Sequence, residues 1–231
     1  MTSFVLVHGG WHGGWCWDAV ARLLRAEGHA VLAPTLTGLA ERAHLIDAVT
    51  GPDLHVEDVV QAILWAELRD ITLVGHSYGG MIVTGVAGRI PERIARLVYL
   101  DAFVPTVSGE GPASATAPDR AAEIAAARRP DGHVDPSGFH RWVSPERVAW
   151  LKARVTPQPG TCFGPGATLT GREVEVPRRD YILCTRNRPS HFEAFHARYR
   201  DAPGWRVHEI DSLHDAMIEA PEELSRLLVA P

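Results

Sequence analysis

Short runs rich in Val, Ile and Leu alternate along the chain with longer amphipathic segments. Apolar runs of about four to eight residues, separated by segments of helical periodicity, are typical of a parallel sheet covered on both faces by helices. We therefore predict an α/β fold with a mostly parallel sheet. The predicted strands are Phe4 to Val7, Ala30 to Ala33, Ile71 to Val74, Leu97 to Leu100, Tyr181 to Cys184 and Val207 to Ile210.

Four segments, three between these strands and one after the last of them, have apolar residues at helical spacing. We predict a helix that begins at Asp18, a second helix from Val56 towards Leu68, a third over Met81 to Arg89, and a last helix from Pro221 through Leu228. Proline is favoured in the first turn of a helix and disfavoured in its interior, so the prolines after Arg89 and at position 221 set two of these boundaries.

The segment from 105 to 177 differs in composition from the rest of the chain. Its loop-like stretches PTVSGEGPASATAPDR and TPQPGTCFGPGATLTG enclose two helical patches, DRAAEIAAARR and SPERVAWLKARV. A structureless segment of this length inside a compact domain is uncommon. We predict one domain with a core formed by residues 1–104 and 178–231, into which residues 105–177 are inserted as a small helical cap.

Charge and composition exclude several classes of partner. The 231 residues carry a net charge of -5, so no basic surface is available for nucleic acid. No apolar run approaches about 18 residues and no cationic leader precedes the first strand, which argues against a membrane partner. The three cysteines are far apart and form no CxxC pair. We expect buried free thiols and a reducing cytoplasm.

The stretch ITLVGHSYGG, residues 71–80, is an apolar strand that runs into a G-x-S-x-G sequence followed by a helix. This is the context of a nucleophile elbow, in which Ser77 occupies a strained turn and its hydroxyl group faces the substrate. Small residues are needed on both sides of such a turn, and Gly75, Gly79 and Gly80 provide them. The other interpretation is a glycine-rich turn with an incidental serine.

A serine hydroxyl group needs a base near neutral pH. Among the 12 histidines, His214 follows the last predicted strand and precedes the last helix, where this fold places its base. The alternative is a surface histidine, and His76 is expected to pack beneath the elbow. This chemistry requires neither a metal nor an organic cofactor.

The glycine-rich stretch VHGGWHGGWCW follows the first strand. It can bring the amide of Gly10 beside that of Tyr78, and the two N–H groups would form an oxyanion hole; an ordinary tight turn is the alternative. Trp11 and His12 follow directly, and large rings in this position are expected to line a pocket or to pack under the cap. We take both as substrate-binding candidates.

Four stretches together resemble the α/β-hydrolase superfamily: FVLVHGGWHGGWCWDAVARLLRAEGHAVLAPTLTG, ITLVGHSYGGMIVTGVA, RLVYLDAFVP and LHDAMIEAPEEL. Within it they are similar to the group of small bacterial esterases, salicylate-binding-type plant methylesterases and hydroxynitrile lyases. The resemblance implies Ser77 as nucleophile, His214 as base, and the amides of Gly10 and Tyr78 as oxyanion hole. The lyases of this group use a lysine shortly after the histidine, whereas the only lysine here is Lys152.

The acid of the triad departs from the pattern of this group. The segment YILCTRNRP carries Asn187 at the usual position of the acid. An asparagine carbonyl group could hold the imidazole tautomer but adds no charge, and a comparable change in a serine protease costs about 10⁴-fold in rate. Asp101, in RLVYLDAFVP, is the best substitute, although it could instead anchor the start of the cap. Asp211, Asp215 and Glu193 are weaker candidates.

Three functions follow from these residues. The first is a serine hydrolase that cleaves a small or medium carboxylic ester, thioester or lactone through an acyl-enzyme on Ser77. The second is a lyase, isomerase, cyclase or carbon–carbon cleaving enzyme of specialised metabolism with His214 as base. The third is a non-catalytic ligand-binding protein. In each case the partner is a small molecule, and a homodimer is left open.

Overall fold

The computed structural model describes residues 2–112 and 118–230. Six strands of this part form one sheet in the order β2-β1-β3-β4-β5-β6, with every neighbouring pair parallel. The predicted α/β fold and its strands are therefore confirmed. The strands are β1 (Ser3–Val7), β2 (Ala30–Leu32), β3 (Ile71–His76), β4 (Ile94–Leu100), β5 (Arg179–Cys184) and β6 (Trp205–Ile210).

Helices connect these strands, and the four predicted in the core are confirmed within a few residues. The α-helices are α1 (Asp18–Ala26), α2 (Pro52–Trp65), α3 (Gly79–Arg89), α4 (Pro118–Ala126), α5 (Phe139–Trp142), α6 (Pro145–Lys152), α7 (Phe192–Tyr199), α8 (Ala216–Glu219) and α9 (Pro221–Val229). Short 3-10 helices cover Gly14–Trp17, Ala40–Ala48, Pro91–Arg93, Gly160–Phe163 and Arg172–Glu175.

The sheet is buried on both faces because successive side chains of a strand point to opposite sides. In β1, Val5 and Val7 pack with the helices α2, α3 and α7 on one face. Phe4 and Leu6 pack with α1 and α9 on the other face. The continuous apolar runs of the strands are thus explained by two separate cores.

The order of the strands places loops for a site at one edge of the sheet. The chain passes from β1 outward to β2 and then returns to β3, so the connections leave β1 and β3 in opposite directions. A crevice forms outside the carboxyl ends of strands at such a switch point. The loop after β1 begins at His8, and the turn after β3 contains Ser77.

The segment between β4 and β5, residues 101–178, contains α4, α5 and α6. We call it the inserted segment. Strands β4 and β5 pair directly, so the insertion does not interrupt the sheet. Both helical patches predicted there are present, and Val134 forms antiparallel bridges to Arg128 and to Gln158. Residues 113–117, within the predicted cap, lie outside the described residues.

Several short elements of the structure were not predicted from the sequence. Helix α7 was overlooked although Phe192, Phe195 and Tyr199 follow helical spacing and are buried. The 3-10 segment Ala40–Ala48 has a kink at Leu45 and no buried side chain, so it carries no apolar periodicity. None of the helices within residues 2–112 and 118–230 combines the length and apolar composition that a membrane crossing requires.

Candidate active site

The turn after β3 has the strained geometry of a nucleophile elbow. Ser77 has φ 52°, a left-handed conformation that is uncommon for a residue with a side chain. A Cβ atom on Gly79 would lie 2.7 Å from the carbonyl oxygen of His8, and one on Gly80 would lie 2.2 Å from that of Phe103. Because both obstacles are backbone atoms, glycine is required at these positions.

Ser77 faces a cavity of about 340 Å³ at the carboxyl ends of the strands. His214, Tyr78 and Gly10 line the same cavity. The fold thus brings the predicted nucleophile, the predicted base and both predicted oxyanion residues to one surface.

His214 lies in the loop between β6 and α8 and is oriented by Asp101. Its Nδ1 atom is 2.6 Å from Asp101 Oδ2, and the carboxylate is fully buried. A carboxylate accepts hydrogen bonds, so Nδ1 carries the hydrogen and Nε2 is left as the basic nitrogen. The imidazole also stacks on Phe192, with 5.2 Å between ring centroids and 9° between ring planes.

Asp101 lies directly after β4, in the left-handed region at φ 42°. Its other oxygen, Oδ1, accepts a hydrogen bond of 3.2 Å from the amide of Cys184 in β5. The backbone of two neighbouring strands therefore holds the carboxylate under the imidazole.

Asn187 contacts Asp101 through its amide nitrogen. Nδ2 donates a hydrogen bond of 2.7 Å to Asp101 Oδ2 and lies 3.4 Å from His214 Nδ1. From the sequence, the carbonyl group of Asn187 was a candidate partner of the imidazole. The structure instead pairs the imidazole with Asp101, because a carboxylate oxygen can accept from both the histidine and the asparagine at once.

His76 is buried beneath the elbow, as expected from its position in β3. Its Nε2 atom donates a hydrogen bond of 3.1 Å to the carbonyl oxygen of His214. Burial, together with the neighbouring His214 and His12, holds the pKa of His76 well below its usual value. His76 is therefore neutral and braces the loop of the base.

The two predicted oxyanion residues lie next to each other at the wall of the cavity. Tyr78 is the N-cap of α3, where the first amides of a helix have no partner inside the helix. A Cβ atom on Gly10 would lie 4.0 Å from the Cβ atom of Tyr78. The phenol of Tyr78 lies 2.9 Å from His55 Nδ1. Its side chain is thereby tied to α2, which leaves its backbone beside Ser77.

Trp11 and His12, the predicted substrate-binding residues, line the cavity and also bind neighbouring segments. Trp11 donates from its backbone to Gln158 Oε1 at 2.8 Å and from its indole to the Val134 carbonyl at 2.9 Å. His12 is almost fully buried between Gly10 and Asp215. Both residues therefore connect the loop after β1 to other parts of the site.

The inserted segment contributes contacts that the sequence analysis did not identify. The amide of His214 donates to the carbonyl of Arg141 at 3.1 Å, and the amide of Asp215 donates to that of Trp142 at 3.0 Å. Backbone carbonyl groups leave no signature in a sequence, so no pattern could have revealed these contacts.

One cluster of side chains beside the predicted base has atoms that can ligate a metal ion, and hydrogen bonds occupy part of them. Among the described residues, one cluster offers suitable ligand atoms within 4.8 Å of one another: His76, His214 and Asp215. His76 Nε2 is used by the carbonyl of His214, and Asp215 Oδ2 is used by His12. Among the described residues, His76 Nδ1 and Asp215 Oδ1 of this cluster have no hydrogen-bond partner.

Comparison with known proteins gives a consistent result. A family model described as "Alpha/beta hydrolase family" matches residues 4–227. A carbendazim hydrolyzing esterase from Nocardioides sp. (strain SG-4G) is 40% identical over 240 residues, which cover 100% of this chain and 99% of that relative. Methylesterase 1 from Arabidopsis thaliana is 38% identical over 106 residues, which cover 44% of this chain and 40% of that relative.

A solved structure shares the whole fold. An extracellular alpha/beta-hydrolase from a Paenibacillus species superposes with a TM-score of 0.83 at 23% identity, over 99% of this chain and 98% of that chain.

Proposed function

The chain belongs to the alpha/beta hydrolase family and is a carboxylic ester hydrolase, and we propose that it works through an acyl-enzyme on Ser77 with His214 as general base. The observation that carries this proposal is the 2.6 Å contact between His214 Nδ1 and Asp101 Oδ2 beside the elbow. It provides an oriented, charge-supported base at the cavity that contains the strained serine.

The reaction then proceeds in two halves. Ser77 Oγ attacks the ester carbonyl carbon while His214 Nε2 takes its proton, and the amides of Tyr78 and Gly10 stabilise the oxyanion. Collapse of the intermediate expels the alcohol, which receives the proton from His214. Water, activated by the same nitrogen, attacks the acyl-enzyme and releases the carboxylic acid.

Asp101 serves as the acid of this triad, and Asn187 supports it. The imidazolium formed during each half-reaction needs a negative charge beside Nδ1, which a carboxylate provides and an amide does not. Asn187 contributes a hydrogen bond of 2.7 Å to Asp101 Oδ2 and so keeps that oxygen directed at the imidazole.

This assignment also weakens the two alternative functions. Both the non-hydrolytic enzyme of specialised metabolism and the binding protein were motivated by Asn187 at the usual acid position. With Asp101 at the imidazole, the site has the charge that ester hydrolysis needs, so ester hydrolysis is the function we propose.

We infer a neutral substrate of small size with a flat apolar group. Much of the cavity wall is aromatic, including Trp11, Trp142 and Phe163. Its charged lining residues are paired: Arg141 with Asp119 at 3.9 Å, and Arg120 with Glu123 at 2.8 Å. A volume of about 340 Å³ suits a ligand at the lower end of the drug-sized range.

The cysteines support a reducing compartment. Cys16, Cys162 and Cys184 are free and buried, as expected from their spacing. We therefore propose the cytoplasm as the place where the enzyme works.

The first test compares the wild type with Ser77→Ala in stopped-flow hydrolysis of p-nitrophenyl acetate. Mass spectrometry of the intact proteins then shows whether an acetyl group is attached. We expect a burst and an acetyl adduct on the wild type, and neither on the variant. Equal turnover by the two proteins without an adduct would contradict the acyl-enzyme.

The second test concerns the substrate. Carbendazim, the compound in the name of the full-length relative, is compared with neutral aromatic methyl esters and with anionic monoesters of aliphatic diacids. We expect the neutral aromatic compounds to have kcat/KM at least about tenfold above the anionic ones, because Arg120 and Arg141, the arginines described at the cavity wall, are paired with carboxylates. A preference for the anionic esters would contradict the proposed substrate class.

A further inference from the structure

One buried side chain joins the loop of the oxyanion hole to the loop of the base. His12 Nδ1 is 2.7 Å from the carbonyl oxygen of Gly10, and His12 Nε2 is 3.0 Å from Asp215 Oδ2. Asp215 directly follows His214 in the chain. The imidazole of His12 is 2% exposed and Asp215 is 0% exposed, so water does not compete for these bonds.

The partners of His12 determine its charge. A carbonyl oxygen and a carboxylate oxygen both accept hydrogen bonds, so each ring nitrogen must carry a hydrogen. Burial lowers the pKa of His12, but the charge and hydrogen bond of Asp215 and the carbonyl of Gly10 outweigh it, and the pKa is raised. His12 is therefore held as an imidazolium.

Few other charges act on this pair. His76 Nε2 lies 3.8 Å from Asp215 Oδ1, but the lowered pKa of His76 keeps it neutral. Burial lowers the pKa of His8 to about 3, so His8 is neutral too. The thiol of Cys16 stays protonated because burial raises its pKa. Within the part of the chain that the structure describes, Asp215 Oδ1 has no hydrogen-bond partner, so His12 is the main partner of this carboxylate.

Aromatic rings fix the orientation of His12. Its ring centroid lies 5.5 Å from that of Trp15 and 5.4 Å from that of Trp142. Its polar edges are occupied by Gly10 and Asp215, so the ring has no hydrogen left to donate to a substrate.

We propose that His12 and Asp215 form a positioning ion pair that sets the oxyanion hole relative to His214 during acyl transfer. This inference rests on the proposed function. His12 acts through Gly10 and through the loop of His214, so it is a positioning residue. Hydrogen bonds to a developing oxyanion depend on geometry that exists only in the transition state. Loss of the contacts of His12 with Gly10 and Asp215 should therefore lower the rate of acylation more than it weakens substrate binding.

The experiment measures burst kinetics with p-nitrophenyl acetate for the wild type, His12→Ala and the double variant His12→Gln/Asp215→Asn. We expect His12→Ala to acylate about 100-fold more slowly, a loss comparable to that of one oxyanion donor, with KM within about threefold of the wild type. The double variant replaces the ion pair by a neutral amide pair that can still hydrogen-bond. Its acylation rate should therefore be at least about tenfold above that of His12→Ala.

A matched control is available at the surface. His133 Nε2 also lies 3.0 Å from a carboxylate oxygen, that of Asp47, but Asp47 is exposed and His133 does not line the cavity. His133→Ala should acylate within about twofold of the wild type, because exposed ion pairs contribute little.

The pH profile separates positioning from general destabilisation. The imidazolium of His12 is lost as pH rises through its raised pKa, so acylation by the wild type should fall in an alkaline step that the double variant lacks. A burst in His12→Ala within about threefold of the wild type, no rescue by the double variant, or the same alkaline step in both proteins would overturn the inference. A wild type without any Ser77-dependent burst would overturn the proposed function as well.

Discussion

The oxygen Oδ2 of Asp101 receives two hydrogen bonds from side chains of the site. His214 Nδ1 lies 2.6 Å away and Asn187 Nδ2 lies 2.7 Å away. A carboxylate accepts several hydrogen bonds, so one residue can orient the base and be oriented itself. The asparagine at the usual acid position is therefore compatible with a complete triad.

This arrangement predicts very different losses of kcat for a substitution at Asp101 and for one at Asn187. Asp101→Asn should lower kcat about 10⁴-fold, because it removes the charge beside the imidazole and favours the wrong tautomer. Asn187→Ala should lower kcat by only about tenfold, since Asp101 keeps its contact with His214 and loses one donor. Steady-state hydrolysis of p-nitrophenyl acetate measures both, and equal losses would contradict the assignment.

The reverse substitution at the usual acid position is a second check on the same prediction. Asn187→Asp should not raise kcat, because a new carboxylate beside Asp101 would repel its charge. A sharp rise in kcat would show that the native site lacks an acid.

Among the elements, the inserted segment holds both loops of the site. Gln158 Oε1 accepts the backbone N–H of Trp11, which has φ 65° and directly follows Gly10. At the opposite side, carbonyl groups at the end of α5 accept the amides of His214 and Asp215. The predicted cap thus supports the catalytic loops in addition to enclosing the cavity.

Gln158→Met tests the support of the oxyanion loop. The substitution leaves the buried N–H of Trp11 without its acceptor, so we expect unfolding in urea to show a loss of about 1–3 kcal/mol. The acylation rate should fall as well, because Gly10 precedes the freed residue. Gln61→Met is the control. Gln61 is exposed on α2 and donates a hydrogen bond to Glu57 at the surface, so the free energy of unfolding should change by no more than about 0.5 kcal/mol. Equal losses for the two variants would contradict the proposed support.

At the scale of the whole molecule, buried neutral histidines make the fold sensitive to acid. Burial lowers the pKa of His8 to about 3, and its geometry agrees: Nδ1 is 2.8 Å from the Gly9 carbonyl, while Nε2 accepts the Leu36 amide at 3.1 Å. Burial also lowers the pKa of His191 to about 4. Protonation of either ring disfavours the folded state.

These pKa values determine how the free energy of unfolding changes with pH and over which pH range. Below about pH 6.5 the unfolded chain binds protons that the folded His8 and His191 do not, so stability should fall as pH decreases. His12, with its raised pKa, stays protonated in the folded state while its unfolded imidazole titrates at about pH 6.5, so it opposes this slope around that pH and adds none well below it. We expect a loss of about 2 kcal/mol from His8 alone between pH 7 and pH 5, measured by urea unfolding.

His191→Phe should flatten this acid slope. The ring of His191 packs against those of Phe103 and Phe192, with 5.2 Å and 4.1 Å between ring centroids, so a phenyl ring suits the same space and does not titrate. An unfolding free energy that stays constant from pH 7 to pH 5 would contradict the prediction.

The sequence by itself determined the sheet and the local sequence of the turn at Ser77, and it predicted where the base lies. Apolar runs identify buried parallel strands because both faces of such a strand are covered, and Ser77 is marked by glycines that a strained turn needs locally. His214 could be selected among 12 histidines because its place after the last predicted strand is a property of chain order.

Only the tertiary structure decided the partners of these residues. Asp101 and Asn187 are 86 positions apart, and His12 and Asp215 are 203 positions apart. Each pair meets because separate strands end at one edge of the sheet. The sequence shows that a carboxylate can accept a hydrogen bond, but it does not show which distant donor lies close enough to form it. The pairing of charges is therefore set by topology and burial, which act beyond the range of any local pattern.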